Sequence, residues 1–238
     1  MLWGFFDESA YHHADDGHII QYTLGGCIAG QDRWDSFKKD WKAFLDRHST
    51  GMFHATNYAN VEKHKVELDE AVKIIQNNQL SCYGSTIFVP DEYRPPKPKQ
   101  ALQKFYEDCA VDMIWHAAQH ANALNEDIAL VFARFGDFSL DKIKKHFGDF
   151  QSVDRCLHSV GVGEPSNCLP LQAADFVAYE VQHYHRADIS IGEARRPFTN
   201  LINAFESLET RRSPPTLSRR FYLQFPLGET DSGVGMDK

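Results

Sequence analysis

The chain has 238 residues and a formal net charge of −8, with 25 Lys and Arg residues against 33 Asp and Glu residues. Hydrophobic residues make up 42% of it and charged residues 24%, a balance typical of a folded globular protein rather than a disordered one. The acidic balance argues against a broad electrostatic grip on nucleic acid, which usually shows as a basic domain or stripe. Local phosphate contacts stay compatible with it.

The cysteines and the N-terminus indicate the compartment. The five cysteines are scattered, and their spacings contain neither a C-x-x-C pair nor a disulfide framework. The N-terminal apolar stretch stops at Asp7 and has no basic region before it, so it does not resemble a signal peptide. No apolar run approaches the ~20 residues that a membrane-spanning helix needs. We therefore expect a cytoplasmic protein that does not enter a membrane.

The chain opens with a pattern typical of a β-hairpin. Leu2–Phe6 and Ile19–Ala29 have strand character, and turn-forming residues separate them. These features predict two antiparallel strands. Gly25 and Gly26 lie inside the second strand, which predicts a bulge or a close approach of another backbone at that point.

Between Asp32 and His48, large apolar residues recur three or four positions apart, which predicts an amphipathic helix. Its aromatic face consists of Trp34, Phe37, Trp41 and Phe44. We expect this face in the core or at a subunit interface, and such aromatics make a homodimer a reasonable expectation. A second helix is predicted over Glu67–Gln76, and residues that favour β-structure predict a third strand over Ser81–Val89.

In the second half of the chain, helices alternate with strands. The continuous apolar run within Asp127–Phe135 is typical of a strand buried on both faces. The other predicted elements are helices over Lys99–Asn122, Leu140–Phe147, Leu169–His185 and Glu193–Glu209, and a strand over Cys156–Val162. The order predicts an α/β fold with a mixed five-stranded sheet, antiparallel in its first strands and flanked by helices. We expect one domain over 1–227, with an extra C-terminal helix, and a disordered tail over 228–238.

Two short segments place carboxylates where a folded core is expected. Asp7 and Glu8 follow the first predicted strand, and Asp175 lies one turn into a helix that otherwise looks buried. An unpaired buried charge is costly, so a basic partner, a proton or a divalent metal must offset it. Because magnesium and manganese prefer carboxylate oxygens, Asp7 and Asp175 predict a metal site. Exposed acids at a strand end, and an acid serving the helix dipole, are the alternatives.

Three segments together resemble a known family. They are Asp7-Glu8-Ser9, Phe53-His54-Ala55 and Leu171-Gln172-Ala173-Ala174-Asp175. With the order of strands and helices up to about Arg186, they resemble the family catalogued as domain of unknown function 3800, which is similar to the ribonuclease-H-like superfamily. The resemblance implies a ribonuclease-H-like fold that binds magnesium or manganese. The ligands it implies are acids on the first strand, on a middle strand and near the start of a late helix.

Carried over to this chain, the resemblance implies Asp7 as the first-strand ligand and Asp175 as the late-helix ligand, with His54 at the rim of the site. Neighbouring residues on a strand face opposite sides. Glu8 is therefore expected beside the site or in solvent, unless the strand ends or bulges there.

The middle strand departs from the family pattern. Ala133-Arg134 stands where an acid is expected, and the nearest downstream carboxylate is Asp137. Either Asp137 reaches in from the loop as a further metal ligand, or the site is incomplete. Arg195 and Arg196 could contact phosphates, because an arginine binds phosphate with two parallel hydrogen bonds. A solvated helix end is the alternative interpretation of these two arginines.

The sequence predicts a metal-dependent phosphodiesterase that acts on nucleic acid through Asp7 and Asp175. Two metals ~3.5–4 Å apart can activate a water and stabilise the leaving oxygen. The alternative function is a catalytically inactive interaction module, in which Arg134 pairs with one of these carboxylates and replaces the charge of the metal. A metal-free hydrolase that uses the two carboxylates as acid and base is a third alternative.

Overall fold

The structure is a computed structural model that describes residues 1–12, 19–89, 98–134, 140–152, 154–185, 197 and 218–223. Its strands are β1 (Leu2–His12), β2 (Ile19–Gly30), β3 (Ser81–Phe88), β4 (Ile128–Ala133), β5 (Leu157–Gly163) and β6 (Ser218–Leu223). Its helices are α1 (Gln31–Arg47), α2 (Lys65–Asn77), α3 (Pro98–Leu124), α4 (Leu140–Gln151) and α5 (Leu169–His185), with a short 3₁₀ helix at Ala55–Tyr58.

The strands form one mixed sheet in the order β5-β4-β1-β2-β3-β6. β1, β2 and β3 pair antiparallel, whereas β4 lies parallel to β1 and β5 lies parallel to β4. These findings confirm the predicted α/β class and the antiparallel first strands. The sheet has a sixth strand that the sequence did not predict, β6, which pairs antiparallel with β3. It lies at one edge of the sheet that the described strands form.

The prediction that the first strand ends at Phe6 is wrong, because β1 continues to His12. Its second half is polar, but it pairs residue by residue with β2, as in the pair of Asp7 with Gly25. The register shifts only between Tyr11 and His12. The hydrogen-bonding partner, rather than the apolar pattern, therefore determines where this strand ends.

Helices cover both faces of the sheet, and each face has its own core. The aromatic face of α1 belongs to the core on the α5 side, where its aromatic residues are at most 1% exposed: Trp34, Phe37, Trp41 and Phe44. The alternative of a subunit interface on these residues is therefore wrong. The sequence argument for a homodimer depended on that alternative and no longer holds. α3 and α4 pack on the opposite face.

Helix α5 lies directly on β2 because β2 has no side chain at the point of contact. A Cβ on Gly25 would lie 2.6 Å from the Cα of Ala178. The close backbone approach that the glycines predicted is therefore present, and no bulge occurs there. The predicted helix over Glu193–Glu209, apart from residue 197, and the predicted tail over 228–238 lie outside the described residues. None of the described helices combines the length and the apolar character needed to cross a membrane.

Candidate functional site

A cavity of about 320 Å³ lies at the carboxyl ends of the parallel strands. β1 pairs with β4 only as far as Phe6 and Phe132; β4 ends one residue later, and β1 continues with β2 as its one partner among the described strands. The cavity occupies the space beyond the end of β4, and Ala133 contributes to its wall. In α/β sheets, ligands bind characteristically outside the carboxyl ends of the strands. The sheet topology therefore marks this edge as the place for a site.

The structure brings Asp7 and Asp175 together in this cavity, although they lie near opposite ends of the described chain. Asp7 is 7% exposed and Asp175 is 6% exposed. Gly25 is the cross-strand neighbour of Asp7, and directly opposed residues of an antiparallel pair face the same side. The contact of α5 with Gly25 thus brings the helix against the face that carries Asp7.

Glu8 also lines the cavity, although the strand neither ends nor bulges beside it. The cross-strand neighbour of Glu8, Leu24, belongs to the core on the α3 side, so Glu8 faces that side and Asp7 faces the α5 side, as expected for neighbouring residues of a strand. Glu8 reaches the cavity because β1 has no partner beyond Phe6 on the side of β4. Oxygen Oε2 of Glu8 is buried and has no hydrogen-bond partner among the described residues.

Burial perturbs the titration of these acids. It raises the pKa of Asp7 well above its usual range, and the negative charges of Glu8 and Asp175 raise it further. Burial likewise raises the pKa of Glu8 to about 7, with a small contribution from the charge of Asp175 and an opposing one from hydrogen bonding to Asp7. The backbone N–H of Glu8 donates to Oδ1 of Asp7 at 2.8 Å. Carboxyl groups crowded in this way require protons or a bound cation.

Asp175 is held by the segment that precedes the 3₁₀ helix. Its Oδ2 accepts a hydrogen bond from the backbone N–H of Ala55 at 2.7 Å and lies 3.0 Å from Nδ1 of His54. Because a carboxylate can only accept, Nδ1 carries the proton in this pair. The bond to Asp175 raises the pKa of His54, which is half-exposed at the rim of the cavity. His54 therefore lies where the resemblance implied.

Gln172, which the resemblance included in the helical segment without a role, organises the site. Its Oε1 accepts hydrogen bonds from Nε1 of Trp41 and from the backbone N–H of Phe53, both at 3.0 Å. Its Nε2 donates to the carbonyl of Pro165 at 2.9 Å. One fully buried side chain thus joins α1, the His54 segment and the segment after β5 to α5. The available signal was an amide one turn before Asp175 on a buried helix.

Arg134 does not close the site. Its Nε lies 2.6 Å from Oε1 of Glu164, and this pair is the ion pair that the structure gives it. The alternative in which Arg134 pairs with Asp7 or Asp175 is therefore wrong. Ala133 places a methyl group on the cavity wall where the family pattern has an acid.

The residues fit a cation only in part. Within the described portion of the chain, no group of three or more His, Cys, Asp or Glu side chains is arranged to hold a metal ion. Asp137, the predicted further ligand, and the predicted phosphate contacts Arg195 and Arg196 lie outside the described residues. What fits is the chemistry of the donors, together with the buried and unpartnered Oε2 of Glu8. One hard ion can use such a partial shell, because water and phosphate complete its coordination.

No protein-family model matches the chain, and a search of curated proteins finds no match. The resemblance to the domain of unknown function 3800 family therefore stays a prediction.

Proposed function

We propose that the protein is a metal-dependent phosphodiesterase with a ribonuclease-H-like fold that acts on nucleic acid. One observation carries the proposal: Asp7 and Asp175, from the first strand and a late helix, are buried in one cavity at the carboxyl edge of the sheet. The resemblance to the ribonuclease-H-like superfamily implied acids in these two places. The sheet order and the position of the cavity support the same interpretation.

Each side chain of the cavity would have a role that follows from its position. Asp7 and Asp175 would hold the cation, with Glu8 as a further carboxylate beside them. Nδ1–H of His54 donates to Asp175, so in the protonated imidazolium Nε2–H is the group left to donate a proton to the leaving oxygen. A bound magnesium or manganese ion would supply Lewis-acid activation of the attacking water and neutralise charge on the phosphodiester. The methyl group of Ala133 favours one such ion over two.

The test measures metal binding and hydrolysis on one set of variants. We expect the wild type to bind manganese or magnesium in calorimetry with a micromolar to low-millimolar dissociation constant, and to cleave fluorescent DNA or RNA oligonucleotides when the metal is present. Asp7→Asn and Asp175→Asn should lose both properties, because each removes a charged ligand while keeping the shape of the side chain. Asp149→Asn, at an exposed position of α4 outside the cavity, is the matched control and should change neither.

Two outcomes would contradict the proposal: metal-dependent cleavage that persists in Asp7→Asn and Asp175→Asn, or a wild type that neither binds metal nor cleaves. The second outcome favours the alternative of a catalytically inactive interaction module. Ala133 in place of an acid is the observation that favours that alternative. The pairing of Arg134 with Glu164 rather than with Asp7 or Asp175 counts against its charge-replacement form. A calorimetric titration repeated with a mononucleotide present tests whether phosphate is needed to complete the metal shell.

A further inference from the structure

An arginine–glutamate pair lies at the mouth of the cavity, and the proposed chemistry does not use it. Arg134 and Glu164 are the first residues after β4 and β5, two neighbouring parallel strands. Their side chains meet at 2.6 Å, and they are 61% and 48% exposed. Exposed ion pairs contribute little to folding stability. The pair can therefore open at little cost to the fold.

The backbone on both sides of this pair is fixed. The backbone N–H of Arg134 extends the hydrogen bonding between β4 and β5 by one residue. The carbonyl of Glu164 accepts a hydrogen bond from the backbone N–H of Asn167 at 3.0 Å, which closes a turn. Gln172 holds the carbonyl of Pro165 at 2.9 Å. Opening the pair therefore needs only side-chain rotation, with no movement of the strands or of α5.

Arg134 is a cationic side chain at the mouth of a cavity that is otherwise acidic. Its interior carries three acids: Asp7, Glu8 and Asp175. Arg134 is the one Lys or Arg among the described residues that line the cavity, and an arginine stays protonated at every physiological pH. Its contact with Glu164 is made at Nε, and a guanidinium carries five N–H donors, more than one carboxylate can engage. The planar guanidinium matches the geometry of two anions, carboxylate and phosphate, and can bind either with two parallel hydrogen bonds.

We propose that Arg134 is a phosphate-binding residue for the nucleic-acid backbone and that Glu164 is the counter-ion that the phosphate displaces. This inference rests on the proposed function, since it takes the same nucleic-acid substrate to the same cavity. Arg134 then contributes affinity at the mouth, while the carboxylates act at the reacting phosphate. Glu164 lowers the affinity for phosphate, because it competes for the same guanidinium.

The test is a double-mutant comparison of binding. The probe is a fluorescein-labelled single-stranded hexadeoxynucleotide, and its fluorescence anisotropy is measured in EDTA so that no metal-dependent cleavage occurs. We expect Arg134→Gln to weaken binding about tenfold. It should also lower the slope of log affinity against log salt by about 0.7, the value for one lost contact to a single strand. Glu164→Gln should tighten binding by about threefold, because it removes a competing exposed pair.

The double variant should bind like Arg134→Gln, because Glu164 acts only through Arg134. Arg155→Gln is the matched control: it removes the same charge at an exposed residue before β5, at the other end of that strand, and should change affinity less than about twofold. Unchanged binding and salt slope in Arg134→Gln, or weaker binding in Glu164→Gln, would overturn the inference.

The two proposals fail differently in these assays. If the oligonucleotide binds through Arg134 but is never cleaved when metal is added, the phosphodiesterase proposal fails and the phosphate site stands. If metal-dependent cleavage occurs but binding is the same in Arg134→Gln as in the wild type, the phosphate site fails and the phosphodiesterase proposal stands. Circular dichroism of each variant shows whether it is folded, and Arg134→Lys, which keeps the charge but loses the planar fork, should give intermediate affinity.

Discussion

Gly25 of β2 and Ala178 of α5 lie so close that a Cβ on the glycine would lie 2.6 Å from the Cα of the alanine. Asp7 is the cross-strand neighbour of Gly25, and Asp175 lies one helical turn before Ala178 on the same helix. The missing side chain at Gly25 therefore sets the separation between the strand and the helix that carry the two site carboxylates.

Substitution of Gly25 by Ala should damage both the fold and the site. We expect Gly25→Ala to lower the free energy of unfolding by about 1–3 kcal/mol, as overpacked cores do, because backbone atoms of α5 cannot move independently. It should also weaken manganese binding, since the helix must shift away from Asp7. Urea denaturation and calorimetry measure the two effects. Gly161→Ala is the control, because a Cβ there meets nothing within 4 Å; equal effects of the two substitutions would contradict the steric explanation.

The raised pKa of Glu8 makes stability depend on pH. The pKa is 4.5 for an unperturbed glutamate and about 7 in the fold, so the native state holds more protons between these values. Stability in EDTA should therefore fall as pH rises through this window, by about 3 kcal/mol from Glu8 alone. Glu8→Gln should remove that part of the pH dependence, and urea denaturation at a series of pH values measures it. Glu62→Gln, at an exposed position, should leave the slope unchanged.

A bound cation should offset the loss of stability that occurs as pH rises. Protons and metal compete for the carboxyl groups of Asp7 and Glu8, whose pKa values are raised by burial and by mutual repulsion. We expect manganese to raise the melting temperature more at pH 8 than at pH 5.5, with the increment lost in Asp175→Asn. A metal-induced increment that is the same at both pH values would show that these carboxyl groups are not the ligands.

The hydrogen bond to Asp175 raises the pKa of His54 above its usual 6.5. The protonated form therefore adds stability below pH 6.5, and this contribution disappears as pH rises through the pKa of the folded state. Because His54 is half-exposed, we expect the contribution to stay below about 1 kcal/mol. NMR titration should show the pKa of His54 fall in Asp175→Asn. His120, whose pKa is lowered by burial to about 4, is an internal reference that should not change.

Gln172 should matter more to stability than a typical glutamine. Gln172→Ala leaves two buried groups, on Trp41 and Phe53, and the part-buried carbonyl of Pro165 without their hydrogen bonds. We expect a loss of about 3 kcal/mol or more in the free energy of unfolding, measured by urea denaturation, because each unsatisfied buried group costs about 1–3 kcal/mol. Gln119→Ala on the exposed face of α3 is the control and should cost less than about 0.5 kcal/mol.

Local patterns predicted much of this fold. The spacing of Trp34 and Trp41 located α1, and the apolar run around Ile128 located β4, because burial imposes its own period on each kind of element. The carboxylates of Asp7 and Asp175 were conspicuous for the same reason: both interrupt segments that otherwise look buried.

What the sequence could not give depends on contacts between distant segments. The length of β1 follows from its pairing with β2, and the position of Glu8 in the cavity follows from where β4 ends. The bonds of Gln172 and the pairing of Arg134 with Glu164 join residues from different loops and helices. The spacing of residues within one segment does not encode these contacts, so only the folded structure shows them.

The residues that line the cavity are far apart in the sequence, which restricts when the cavity can form during synthesis. Asp7 is made well before the walls at Arg134 and Glu164 and the carboxylate of Asp175. A nascent chain that has folded only its first hairpin carries one side of the cavity and nothing opposite it. On the proposed function, an interrupted or truncated product that stops before α5 is therefore inert, and any hydrolytic activity belongs to chains whose synthesis has passed that helix.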